Sequence, residues 1–160
     1  MTREGFNSRL ALEKETLLRL PPLTNDDAVE IGVIATKLRK QKMLSIEIQI
    51  RVGSWIVFQA SLEGSTLEND GWMNREAAVI LLKHHSTWYE GVYAEEREVD
   101  WQNENDLSEG TQAIHGGAIP LVINKRLKGV LIISSLTQAE NCLFAFQVLT
   151  DFFSEKVKEF

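Results

Sequence analysis

The sequence of 160 residues is 44% hydrophobic and carries 23 Asp and Glu against 17 Lys and Arg, for a formal net charge of −6 and an isoelectric point near 5.1. That balance argues against a nucleic-acid partner, because neutralising a phosphate backbone requires a basic face, while the length suffices to bury the core of one domain without staples. A lone cysteine, Cys142, excludes an internal disulfide, and no apolar run approaches the roughly 18 residues of a membrane span.

The polar start Met1-Thr2-Arg3-Glu4-Gly5 lacks a signal-peptide region, so a cytoplasmic location is expected. Residues 7–20 place Leu10, Leu17 and Leu18 on one helical face, and Pro21-Pro22 ends the helix, since proline disfavours a helical residue before it. Residues 1–22 are therefore read as an N-terminal helical extension that packs on the domain or on a neighbouring subunit. Thr24 and Asn25 are N-cap residues for a second helix. Asp26 and Asp27 complement its positive end, and Ala28, Ile31, Gly32, Ala35 and Leu38 form its buried stripe. Arg39, Lys40 and Lys42 suit its C-terminal end and read as solvated charges rather than a binding patch.

Leu44 to Val52 alternates apolar and polar residues without a break, the clearest strand in the chain. Gly53-Ser54 is a loop of the Gly-X kind found in type II′ hairpins, with Trp55 to Leu62 as the returning strand. Ser65-Thr66-Leu67-Glu68 has the capping-box pattern and predicts a helix to about His85, with Met73, Ala77, Ile80, Leu81 and His84 on one face. His85 then points about 100° away, and for both histidines a core or surface role is the reading. From Trp88 to Glu109 the chain is first aromatic and then acidic, which reads as a short helix followed by a long surface loop. The apolar runs 118–123 and 130–134 predict a second hairpin joined by residues 124–129, buried on both faces or against another subunit. Pro120 places its strand at a sheet edge or allows pairing only from residue 121 onward. A capping box at Thr137-Gln138-Ala139-Glu140 opens a final helix with Cys142, Ala145, Phe146, Leu149, Phe152 and Phe153 as its apolar stripe. This order fits an α+β class, an antiparallel sheet with helices packed against it.

The chain has no CxxC, HExxH, GxSxG or GxxxxGK[ST] motif, so zinc-finger, zincin, serine-hydrolase and P-loop chemistries lack their defining groups. What remains is His115-Gly116-Gly117-Ala118-Ile119-Pro120. Consecutive glycines let backbone N–H groups converge on a carboxylate or phosphate, with His115 beside them. The same residues also suit a sharp loop entering a strand, with His115 hydrogen-bonded to backbone.

Several stretches together resemble the haem-degrading-domain-like family of the GlcG-like superfamily: Glu68-Asn69-Asp70-Gly71-Trp72-Met73-Asn74-Arg75, His84-His85-Ser86, His115 to Pro120, and Gly129-Val130 to Ser134 followed by Leu136 and Gln138. The resemblance spans roughly residues 20–155 and implies a domain over residues 23–160, a profilin-like α/β/α sandwich around a central antiparallel sheet, assembled into homo-oligomers. Carried over position by position, Asn69, Asp70, Trp72, Arg75, His115, Gly116 and Gly117 become the expected ligand-binding residues. In this reading Arg75 and the glycine N–H groups hold carboxylates, Trp72 and Arg75 stack, and Asp70 orders the His115 loop. His115 is a metal ligand only if haem binds. Asn69 and Asp70 suit plain helix capping equally well. One departure stands out: the resemblance calls for an acidic residue followed by histidine after Gln138, where this chain has Glu140-Asn141-Cys142 and so loses a second imidazole. The expected function is a cytoplasmic, oligomeric protein that binds a small anionic or planar ligand. Haem is the named candidate cofactor, and no catalytic residue is assigned. The alternatives are a non-enzymatic assembly or protein-interaction scaffold and, third, an oxidative enzyme.

Overall fold

The computed structural model describes residues 7–18, 20–64, 69–106, 114 and 117–158, with residues 69 and 70 described through their backbone. In chain order the elements are α1 (Ser8–Leu17), α2 (Asn25–Lys42), β1 (Glu47–Val52), β2 (Trp55–Ser61), α3 (Asn69–Lys83), α4 (Thr87–Glu96), α5 (Trp101–Glu104), β3 (Ala118–Ile123), β4 (Arg126–Ser134) and α6 (Gln138–Lys158). The strands form one antiparallel sheet in the order β2-β1-β4-β3.

Alternation along β1 decides how this sheet is covered. The register pairs Ile48 with Ile133 and Ile50 with Leu131, so the apolar sets of both central strands share a face. α2 and α6 pack there, bringing Ile31, Ala35, Ala145, Leu149 and Phe152 into one core with these residues. On the opposite face, Met73, Ala77 and Ile80 of α3 close over Ala118, Val130 and Ile132. The result is the α/β/α sandwich. Each fully buried Leu, Ile or Phe in these layers contributes about 1.5–3 kcal/mol, enough to override the weak amphipathicity of the individual helices.

Local signals start the helices where expected. Thr24 and Asp27 form a reciprocal capping box, Thr24 N–H donating to Asp27 Oδ2 at 2.9 Å and Asp27 N–H to Thr24 Oγ1 at 3.1 Å. Thr137 and Glu140 repeat the arrangement at α6. The box read at residues 65–68 lies outside the described residues. Pro120 falls in β3, an edge strand, which accommodates its missing N–H.

Five expectations are corrected. The first strand begins at Glu47 rather than Leu44. α3 stops at Lys83, and His84 follows in the left-handed conformation with φ +60° while its N–H donates to Ile80 O, so His84 and Leu81 face solvent instead of continuing the buried stripe. The stretch from Trp88 onward forms two helices, α4 and α5, because Trp88, Val92 and Trp101 are buried and the Trp101 indole N–H donates to Glu90 Oε2 at 3.0 Å. β4 starts at Arg126, closing a hairpin on Asn124 and Lys125, both with positive φ. Phe153 is exposed, one position past the buried stripe that ends at Phe152. α1 packs against α4, held by Ser8 on Glu96 and by Glu15 at the α4 N-terminus.

Candidate functional site

α3 and the turn before β3 meet at one end of the sheet. On the outer side of α3 the Arg75 guanidinium lies over the Trp72 ring, 4.7 Å from its centroid, as side chains three apart on a helix can. Asn69 and Asp70 open the helix, and their side chains lie outside the description, as do His115 and Gly116 altogether. Gly117 is described and buried. Its N–H donates to Cys142 Sγ at 3.1 Å and its C=O accepts from Ile133 N–H at 2.8 Å, so the amide expected to hold a ligand carboxylate is engaged inside the fold. With φ +145°, and with an added Cβ falling 2.3 Å from Ile133 O, this position admits only glycine. Cys142 stands within the Glu140-Asn141-Cys142 departure. Burial pushes its thiol up to about 12, which keeps the sulfur an inert acceptor rather than a nucleophile.

The turn also faces Glu76, whose Oε2 lies 3.3 Å from the space a Gly117 side chain would fill. Glu76 is 4% exposed, and its Oε2 has no hydrogen-bond partner among the described residues. Burial holds its carboxyl well above the usual range. Sequence reasoning missed it, although the signal was present: Glu76 follows Met73 by three positions and precedes Ile80 by four, so a charged residue stands on the apolar stripe. The polar set of β1 lies on the same sheet face as α3. There Arg51 Nε donates to Gln49 Oε1 at 2.6 Å, Arg51 Nη2 donates to Asn74 Oδ1, and Gln49 Nε2 donates to Gln59 Oε1 at 3.1 Å. Glu47 is buried beside this chain of bonds. Alternation marks these side chains as one face but cannot say that they are covered.

A different part of the molecule offers more space. Between α1 and edge strand β3 runs a groove of about 690 Å³, walled by Leu12, Leu18, Leu20, Pro120, Val122 and Phe146, with Glu15, His84, His85 and Lys125 also lining it. His85 Nδ1 donates to Glu15 Oε2 at 2.9 Å, and Glu15 Oε1 accepts the Ser86 N–H at 2.8 Å. The Glu15 hydrogen bond raises the His85 pKa, against a smaller opposing effect of burial. The ring also packs on Tyr89, with centroids 4.6 Å apart. A second groove of about 750 Å³, between α1 and α6, has Lys14 and Lys42 among its lining residues but no histidine among those described.

A family described as "Haem degrading protein HbpS-like" matches residues 23–150. The chain belongs to the HbpS-like family. A UPF0303 protein of Lactiplantibacillus plantarum is 30% identical over 151 residues, covering 94% of this chain and 96% of that one. The crystal structure of Ybr137w protein superposes with a TM-score of 0.86 at 24% identity, over 96% of this chain and 91% of that chain. PduOC, solved as a complex with haem, gives a TM-score of 0.69 at 14% identity, over 81% of this chain and 94% of that chain. At these identities the two structures establish a shared fold.

Proposed function

We propose that this protein binds a small planar anionic ligand of the haem class in the groove between α1 and β3. The observation that carries this reading is the groove itself, about 690 Å³, apolar-walled and flanked by imidazoles and Lys125. That volume falls within the roughly 300–1,000 Å³ usual for small-molecule sites, and apolar walls with a few placed polar groups are their usual lining. The donor set fits haem: leucine, proline and valine side chains for the macrocycle, an imidazole for the iron, and an ammonium for a propionate. Family membership and the haem complex of PduOC add support. Bound haem would bring a redox-active iron, and the protein's part is to bind, orient and shield it. The competing location is the set Asn69, Asp70, Trp72, Arg75, His115, Gly116 and Gly117.

The test is a titration of purified, metal-free protein with haem, followed by visible absorbance, with His115→Ala alongside. The expected result is a saturable Soret band at one haem per chain in both proteins. Weak, nonsaturating change shared by the two would overturn the reading, and loss confined to His115→Ala would move the site to the competing location.

Assembly into homo-oligomers is a second reading, favoured by Trp55 and Ile56. They are 69% and 52% exposed on β2, the outermost strand beside β1. A cytoplasmic setting belongs to the same proposal. No helix among the described residues is long and apolar enough to cross a membrane.

A further inference from the structure

We propose that His85, oriented by Glu15, takes the axial position on the iron of a haem-class ligand in the α1–β3 groove, the role that sequence resemblance assigned to His115. This rests on the haem-class reading and goes beyond it by naming the ligand and the residue that positions it.

The ring has one nitrogen committed and one available. Nδ1 donates to Glu15 Oε2, and no other hydrogen bond of this imidazole is found among the described residues, which leaves Nε2 for a ligand on the groove side. A carboxylate on the far nitrogen is how metal-binding imidazoles have their tautomer and ring orientation set, and it strengthens the nitrogen that donates to the metal. Glu15 is itself held in place. Its side chain is 9% exposed and its second oxygen accepts the Ser86 N–H, so the carboxylate cannot swing away without leaving an amide unpaired. His84 lines the same groove, but it is exposed and follows the end of α3 in the left-handed conformation.

The number of donors selects the kind of metal. A bare zinc or iron ion needs three or four protein ligands, and no cluster of three or more His, Cys, Asp or Glu that could hold a metal is found among the described residues. An iron already held by four macrocycle nitrogens needs only one imidazole and an apolar slot. Leu18, Leu20, Pro120 and Val122 supply that slot, and Lys125 offers a cation for a propionate.

The experiment titrates wild type, His85→Ala, His85→Gln and His115→Ala with haem, reading the Soret band, and with metal-free protoporphyrin, reading its fluorescence. Glutamine keeps a donor for Glu15 and protects the α1 contact if alanine loosens it; thermal melts report folding. The expected result is haem binding weakened at least about tenfold in both His85 variants, with protoporphyrin binding retained, His115→Ala unchanged, and the Soret band restored by added imidazole. If wild type binds neither porphyrin, the haem-class reading itself fails. If wild type binds haem saturably while folded His85→Gln matches it in affinity and spectrum, the His85 assignment fails and the reading stands.

Discussion

Glu76 shows at the scale of one residue how burial turns an ordinary side chain into a titratable group with a stability consequence. Its carboxyl lies on the packed face of α3 against the Gly117 turn, and burial raises its pKa. A folded-state pKa above the unfolded one means that the protonated acid's stability contribution is complete at low pH and is lost as pH rises through the raised value. Glu76→Gln cannot ionise, so it should match wild type below the ordinary carboxyl value of 4.5 and become increasingly the more stable of the two as pH rises above it, read from urea midpoints at each pH. Equal pH dependence in the two proteins would show that Glu76 is not the group responsible. The Trp72–Arg75 stack was readable because three residues is a helical neighbour distance. The Glu15–His85 pair was not, because seventy positions separate its members and neither carries a local mark.

Among the elements, capping chemistry was legible and packing-dependent structure was not. Thr24 and Thr137 announce α2 and α6 because both halves of each capping box lie within four residues. The short helix expected from Trp88 is α4, whereas α5 escaped notice because it is held by the burial of Trp101, which shows no helical period in the sequence. The turn between β3 and β4 is a related case. Asn124 and Lys125 adopt φ of +50° and +64°, the geometry of a two-residue hairpin loop, yet the second position lacks the glycine that usually signals it. Lysine there bears the cost of left-handed backbone, so Lys125→Gly should stabilise the protein by about 0.5–1 kcal/mol, measured by chemical denaturation. A destabilisation instead would mean that the lysine side chain makes a contact worth more than the backbone strain.

At the scale of the whole molecule, the sheet leaves β2 as an open edge with Trp55 and Ile56 facing solvent. Such a patch on an outermost strand invites a second copy, and Trp55→Lys should therefore shift sedimentation toward smaller species without lowering the melting temperature of the monomer. Unchanged sedimentation would place any subunit contact elsewhere. An antiparallel sheet with helices packed against it was legible from the alternation in β1, the apolar β4 and the apolar helix stripes, while the α/β/α sandwich was what the family resemblance implied. The candidate site was only half legible. Family motifs drew attention to residues 69–75 and 115–117, whereas the groove with His85 is lined by residues of α1, which packs on α4, and of β3. The sequence by itself determined which residues share the apolar face of β1 and of α2 and where α2 and α6 begin, because these depend on neighbours within a few positions. Tertiary structure alone decided which polar groups are enclosed, Glu76 and the Glu15–His85 pair among them, because enclosure depends on elements brought together from distant parts of the chain.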